Sequence, residues 1–310
     1  MTLGIVFALL SSASFGFNIV GIRRGVSTGA ASQGMYITIF SGTVLFVLLA
    51  LAAGQLQQAA TVTGAAYGYM VAGGLLHLMI GRYFNYRTMA AMGANRASPL
   101  TGMATLISVL IAMVFLSEVI TPLMGVGIVL VMVGPALVAR RSRRPAAVAA
   151  PSGASPDAPA RTKAFEPKLL EGYLFGILTA LFWGAGPVLM RAGVADNGLG
   201  ILGGLVGYGA ASVVLAASLL LPGQMSGALT LDKGARWWFL FGGATSFLAN
   251  VFRYSALGLA PVSLVIPLIR LSSVFALAFN FVINRHLESF EPRVLIGILL
   301  SIAGATLLVI

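Results

Sequence analysis

The sequence contains no cysteine and only two histidines, His77 and His286, and just 9% of its 310 residues are charged. The missing thiols exclude disulfides, thiolate metal ligands and cysteine nucleophiles. Two histidines cannot form a zinc site alone, because protein zinc sites use three or four protein ligands. No nucleophile, base and metal ligand are grouped along the chain, so we expect neither an enzyme nor a metalloprotein.

Apolar residues dominate instead, at 58% of the chain and a mean hydropathy of +0.97, whereas soluble domains carry about 25% charged residues. Apolar runs of about 20 residues, enough to cross a bilayer as helix, follow one another throughout. A β-barrel would alternate with period two, and runs such as "GIVLVMVGPALV" do not. We predict an all-α membrane protein with ten transmembrane helices at 3–22, 34–53, 66–86, 97–117, 122–139, 170–190, 199–221, 237–254, 261–283 and 292–310.

The net charge of +11 fits either binding to an anionic surface or membrane topology, and its placement favours topology without nucleic-acid binding. Of the 19 Lys and Arg, only Arg191, Arg253 and Arg270 fall outside the odd-numbered loops between the ten helices. Positive residues mark cytoplasmic loops. We therefore expect a multi-pass protein of the bacterial inner membrane with both termini outside.

A basic, Pro- and Ala-rich linker at 140–169 divides the chain into halves at 1–139 and 170–310. Its composition predicts a flexible cytoplasmic segment, and its Arg residues favour topology anchoring over a lipid-binding patch.

The two halves resemble each other at a constant offset of 168 residues. The offset lays "LLSSASFGFNIVGIRRGV" over "ILTALFWGAGPVLMRAGV" and pairs Tyr86 with Tyr254 and Pro99 with Pro267. A repeat of five helices re-enters the membrane from the opposite face, so we predict two inverted five-helix repeats. That architecture recurs in secondary transporters, whose substrate sites lie near mid-membrane between the halves.

These features resemble the drug/metabolite transporter superfamily, in particular its ten-helix EamA-type branch. The resemblance rests on the block "GRYFNYRTMAAMGANRASPL", the turn "FLSEVITP" and an aromatic-Gly element with a trailing Arg in each half: Phe15, Gly16 and Arg23, and Trp183, Gly184 and Arg191. It implies two inverted bundles that move a small solute by alternating access without a tightly bound cofactor.

The acidic residues all fall in loops, the linker or helix ends, so a cationic substrate would lack its natural partner. Glu118 and Glu288 occupy equivalent turns, where helix capping or pairing with Arg is expected rather than chemistry. Arg270, in "IPLIRLSS", lies about 13 Å from one end of its helix and about 20 Å from the other at 1.5 Å per residue. It either hydrogen-bonds carbonyls freed by Pro267 or binds a carboxylate or phosphate, and its repeat partner is Gly102.

His77 lies at a similar depth and is either a satisfied hydrogen-bonding group or a proton-coupling residue. Arg82, nearer the helix end, is interpreted as an interfacial anchor or pathway residue. The candidates for substrate binding are Arg270, His77, Asn18, Trp183, Tyr86, Asn250 and Tyr254. The candidates for weakening helices or gating are Pro99, Pro267, Gly186 and Pro187.

The sequence thus predicts a secondary transporter for a small anionic or zwitterionic metabolite, such as an amino acid or another organic or phosphorylated acid. Two alternatives remain, a flippase for lipid-linked carriers and a membrane scaffold without transport.

Overall fold

The computed structural model of the protein describes residues 1–25, 31–92, 94–139, 168–220, 233–283 and 292–310. These residues form ten helical spans with no strand among them, which confirms the predicted fold class. The helices are α1 (Thr2–Gly25), α2 (Ala31–Ala52), α3 (Gly64–Gly74), α4 (Gly81–Met92), α5 (Ala94–Gly102), α6 (Ala104–Phe115), α7 (Pro122–Ala139), α8 (Leu169–Val194), α9 (Gly200–Leu219), α10 (Lys233–Leu259), α11 (Val262–Ile269), α12 (Ser272–Ile283) and α13 (Pro292–Val309).

Three of the ten spans are composite. Span 3 joins α3 to α4 through a π-helical segment, Leu75–Ile80. Span 4 consists of α5 and α6, and span 9 of α11 and α12. The other spans are single helices, so that α1, α2 and α7 are spans 1, 2 and 5, α8 to α10 are spans 6 to 8, and α13 is span 10. A 3-10 turn, Ala59–Thr61, precedes span 3.

Five helical stretches are long and apolar enough to cross a membrane: Thr2–Ile19, Gly34–Ala52, Leu169–Val194, Gly200–Leu219 and Val262–Phe279. A helix suits this environment because its backbone groups bond within the segment, where lipid offers no partner. The predicted linker lies outside the described residues except for its last two positions.

The packing of the spans shows the two-fold relation between the halves. Span 1 packs on spans 8 and 9, and its counterpart, span 6, packs on spans 3 and 4. Span 2 packs on spans 7 and 8, while span 7 packs on spans 2 and 3, and span 5 packs on span 10. Each of these contacts has its counterpart when the halves are exchanged, as an inverted repeat requires.

Glycines allow the closest approaches between spans. Gly127 in span 5 faces Gly304 in span 10, where a Cβ on either residue would lie 2.9 Å or less from the other's carbonyl oxygen. Small residues bring helices together in membranes, where packing rather than the hydrophobic effect drives association.

Spans 4 and 9 break at equivalent positions. The Met103 N–H donates to the carbonyl of Leu100 at 3.1 Å, and the Leu271 N–H donates to that of Leu268 at the same distance. These bonds span three residues, and the Met103 N–H also donates to the Pro99 carbonyl, four residues earlier, at 3.2 Å. Both bonds follow a proline, Pro99 or Pro267, which lacks an N–H. The paired prolines thus lie just before a break in each half, although Pro99 is exposed and Pro267 is buried.

Candidate functional site

The π segment of span 3 shapes the centre of the molecule. The Gly81 N–H donates to the carbonyl of Leu76, five residues earlier. The carbonyl of His77 accepts a bond from the Trp183 indole Nε1 at 3.0 Å. Gly81 fits closely, because a Cβ there would lie 2.7 Å from the Trp183 Nε1. Span 6 therefore supports the wide turn, and such turns are frequent at functional sites.

The imidazole of His77 meets the guanidinium of Arg253 from the opposite half. Arg253 Nη1 lies 2.8 Å from His77 Nε2, and Arg253 Nη2 lies 3.5 Å from Nδ1. A guanidinium has only donors, so the His77 Nε2 must accept and the ring must be neutral in this arrangement. The bond between Arg253 and His77 therefore joins span 8 of the second half to span 3 of the first.

Arg253 is 5% exposed, although it carries a permanent charge. Its Nε has no hydrogen-bond partner among the described residues. Its guanidinium carbon lies 5.7 Å from the ring centre of Tyr254, within the range of a cation–π contact. A buried cation with a free donor is costly unless a further partner is available.

Arg270 lies in the break of span 9 and reaches the break of span 4. Its Nε donates to the Thr105 hydroxyl, and its Nη2 donates to the carbonyls of Thr101 at 3.0 Å and Gly102 at 3.5 Å. These carbonyls belong to the other half, whereas one of the two sequence interpretations had Arg270 bond carbonyls freed by Pro267. Arg270 thus bridges the two helix breaks.

A third arginine, Arg82, is partly buried and lies close enough to His77 for their electrostatic interaction, as do Arg253 and Arg270. Arg253 and Arg270 also repel each other. We call Arg82, Arg253 and Arg270 around His77 the arginine cluster. Among the described residues no ion pair involves these arginines, since the ion pairs there join Arg87 and Lys168 to Glu171.

A polar patch of span 8 adjoins the cluster. The Asn250 Nδ2 donates to the Tyr208 hydroxyl at 2.9 Å and to the Ser246 carbonyl at 2.8 Å, which fixes the orientation of the amide. Its Oδ1 and the Tyr254 hydroxyl are buried without a hydrogen-bond partner among the described residues. Asn250, Arg253 and Tyr254 share one face at helical spacing, so their free polar atoms lie along one side of α10.

Of the other predicted residues, Asn18 and Gly186 make contacts between spans. Asn18 joins spans 1 and 8 by donating to the Gly242 carbonyl at 2.6 Å and the Thr245 hydroxyl at 3.0 Å. Gly186 lies against His77, whose Cβ would be 2.8 Å from an added Cβ. Pro187 lies inside α8, which continues through it. Tyr86 is partly buried.

Glu118 confirms the expectation of capping. Its carboxylate oxygens accept the N–H groups of Val262 and Ser263 at 2.8 and 2.9 Å, at the first turn of α11. Acidic groups are favoured at helix N-termini, where N–H groups lack partners within the helix. Glu288 lies outside the described residues.

Sequence reasoning missed Arg253, because the predicted eighth helix ended at 254 and left Arg253 at its edge. The helix continues to Leu259, so Arg253 lies within the span, six residues before its end. Span 3 likewise extends beyond its predicted end, to Met92, which places Arg82 well within it. A signal was present, because the offset of 168 pairs Arg82 with Asn250 and Asn85 with Arg253.

Residues 2–140 and 170–310 match the model of the EamA-like transporter family. A crystal structure, described only as that of a protein, is similar over 98% of this chain and 96% of that chain, with a TM-score of 0.72 and 14% sequence identity. At that identity the likeness shows a shared fold. No curated protein matches the sequence significantly.

Proposed function

Because the chain belongs to the EamA-like transporter family, we propose that it carries a small solute with an anionic group across the bacterial inner membrane by alternating access. The solute class comprises amino acids and other organic or phosphorylated acids. The family membership makes the chain a membrane transporter of the drug/metabolite superfamily, and the residues at its centre support the choice of substrate.

The observation that carries this proposal is the arginine cluster. Its three permanent positive charges interact electrostatically with His77, which is neutral in its bond with Arg253, and no described carboxylate pairs with them. A single charge at mid-membrane costs about 2.5 to 3.5 kcal/mol on insertion scales. An anionic substrate would offset this cost, whereas a cation would add to the repulsion.

The free donors favour an oxyanion. Arg253 Nε and the Tyr254 hydroxyl are both buried without partners among the described residues, and a carboxylate or phosphate accepts bonds from such donors. Arg270 would contribute charge, while its described bonds hold the break of span 4. Substrate arrival and movement of that break would then be coupled.

A ligand screen by thermal shift tests the substrate class. Purified protein is mixed in turn with amino acids, organic acids, sugar phosphates and quaternary amines, and compounds that stabilise it are followed in proteoliposome uptake. We expect stabilisation by anions or zwitterions. Stabilisation and uptake confined to the quaternary amines would contradict the proposal.

His77 is the proposed site of proton coupling, because protonation of its Nε2 would replace the accepted Arg253 bond by repulsion. Proton binding would thereby release Arg253 to the substrate anion. Glutamine can accept a bond from Arg253 but cannot titrate, so His77→Gln should retain substrate binding and lose the acceleration of uptake by a pH gradient. An equal acceleration in wild type and variant would argue against coupling at His77.

The charge bias supports an orientation with the linker in the cytoplasm and both termini outside. A reporter inserted between residues 150 and 160 should be active only in its cytoplasmic form, and periplasmic activity would reverse this orientation.

A flippase for lipid-linked carriers is the second candidate. It is favoured by a lateral cleft of about 530 Å³ between α6 and α8, lined by Leu110, Ile111, Val114, Phe115, Ala185, Val188 and Leu189. This lining suits acyl chains, although it offers no polar side chain to a headgroup. Stabilisation by lipid-linked rather than water-soluble anions in the same screen would favour this candidate.

A further inference from the structure

Spans 3 and 8 carry the same two residue types in opposite order. The first half reads Arg82 then Asn85, and the second half reads Asn250 then Arg253 at the equivalent positions. The aromatic residues beside them stay in place, because Phe84 pairs with Phe252 and Tyr86 with Tyr254. The scaffold is therefore duplicated while the positive charge has moved by three residues.

Each of the two arginines lies in the C-terminal half of its span. Arg82 lies about 15 Å from the C-terminal end of span 3, and Arg253 about 9 Å from that of span 8, at 1.5 Å per residue. The two spans run in opposite directions, so these ends face opposite sides. Long helical side chains lean toward the N-terminus of their helix, which brings both guanidinium groups back toward the centre.

The surroundings of the two arginines differ. Arg253 is 5% exposed and bonded to His77, whereas Arg82 is partly exposed and has no ion pair among the described residues. Arg82 also interacts electrostatically with His77 and Tyr254. The π segment ends just before Arg82, and its wide turns bring residues about five apart toward the same side of the helix.

We propose that Arg82 is a second anion site, which takes the carboxylate or phosphate group of the substrate when the carrier faces the side opposite Arg253. The anionic group would pass from one arginine to the other across His77. This inference rests on the proposed anion transport, and it adds that Arg82 of the first half and Arg253 of the second hold the anionic group in turn.

Single-cysteine labelling tests the site without knowledge of the substrate, since the chain has no cysteine. Asn85→Cys places a thiol three residues from Arg82, and Asn250→Cys places one three residues from Arg253. Each thiol is reacted with negatively charged sulfonatoethyl and positively charged trimethylammonioethyl methanethiosulfonate, in sealed vesicles of either orientation. The measured quantity is the ratio of the two rates relative to a free thiol.

We expect the Asn85→Cys thiol to favour the anionic reagent by about tenfold or more, as a focused positive potential would. Adding Arg82→Asn should lower the ratio about tenfold, whereas Arg253→Asn or the exposed Arg87→Asn should change it less than twofold. At Asn250→Cys the ratio should fall about tenfold with Arg253→Asn and change less than twofold with Arg82→Asn. This thiol should react from the other membrane face. Arg82→Lys keeps the charge and should keep the ratio, so it serves if Arg82→Asn does not fold.

An unchanged ratio at Asn85→Cys after Arg82→Asn, or a ratio lost in Arg82→Lys, would overturn the second site. So would equal sensitivity of one thiol to both arginines, which would indicate a single shared site, or no reaction of Asn85→Cys with the anionic reagent. A failure of anion transport itself would appear in the uptake screen and would leave these ratios as expected, so the two failures are distinguishable.

Discussion

Spans 3 and 8 occupy equivalent places in the two halves, yet one is interrupted and the other is continuous. Span 3 contains the π segment Leu75–Ile80, whereas span 8 is the single α-helix Lys233–Leu259. The paired glycines Gly73 and Gly74 stand one residue further from Arg82 than Gly242 and Gly243 stand from Asn250. A one-residue insertion is the natural origin of a π turn.

The residues beside the π turn differ in size between the halves. Span 3 has Gly81 against Trp183, and the equivalent positions hold Ala249 and Phe15. Beside the π turn, the larger aromatic residue, Trp183, thus faces the smaller partner, Gly81. The comparison teaches that a duplicated scaffold can acquire a structural asymmetry through one inserted residue and one exchange of sizes.

The largest effect is expected when span 8 is given the residue of span 3. Arg253→Asn removes a buried charge and its bond to His77. A substrate anion that pairs with this charge should lose about 2 to 5 kcal/mol of binding free energy. Uptake in proteoliposomes should fall by about 100-fold or more, while the melting temperature should not fall, because the desolvation of a buried charge is relieved.

Arg87→Asn is the matched control for that variant, because Arg87 forms an exposed ion pair with Glu171 outside the cluster. It should leave uptake within twofold of wild type. Full uptake by Arg253→Asn would remove Arg253 from the substrate site, and an unfolded variant would make its role structural.

Arg270 offers the second test, since Gly102 stands at its place in the first half. Arg270→Ala should lower uptake by more than tenfold and leave membrane insertion intact. The hydrogen bonds from Arg270 to the carbonyls of Thr101 and Gly102 are lost, which should lower the free energy of unfolding by about 1 to 3 kcal/mol.

Thr105→Val separates the bridge from the charge, because it removes the hydroxyl that accepts from Arg270 Nε. It should cost about 1 kcal/mol of stability and retain most of the uptake. If Thr105→Val abolishes uptake as fully as Arg270→Ala, the bridge between the helix breaks matters rather than an anion-binding charge.

Some features of these spans could be predicted from the sequence and others could not, because they leave different traces in it. The ten spans and the inverted repeat follow from hydropathy and one offset, because lipid imposes helix length directly. The π turn does not alter hydropathy, so it is visible only in the glycine spacing before Arg82. The burial of Arg253 required knowledge of where span 8 ends, and Arg270's partners in span 4 required the packing of the two halves.

The exchange of sizes at the π turn gives a prediction of intermediate magnitude. Gly81→Ala places a Cβ against the Trp183 indole, and overpacking of this kind costs about 1 to 3 kcal/mol. The double variant Gly81→Ala with Trp183→Phe copies the pairing of Ala249 and Phe15, and should recover at least half of the lost stability in chemical unfolding in detergent.

Recovery of stability would not restore function in that double variant, because phenylalanine cannot donate to the His77 carbonyl. Uptake should therefore stay below that of wild type. A double variant no more stable than Gly81→Ala alone would show that the close contact with Trp183 does not set the shape of the turn.

Glu118 gives the smallest expected effect, and it concerns a contact from one half to the other. Its carboxylate accepts the Val262 and Ser263 N–H groups, and Glu118→Gln keeps one acceptor oxygen while losing the charge at the helix N-terminus. The free energy of unfolding should fall by about 1 kcal/mol with uptake within twofold of wild type. Glu171→Gln, which disrupts an exposed ion pair, should cost no more than about 0.5 kcal/mol. A loss of uptake in Glu118→Gln without loss of stability would instead make this cap part of the moving machinery, because the N-terminus of α11 leads directly to the break that carries Arg270.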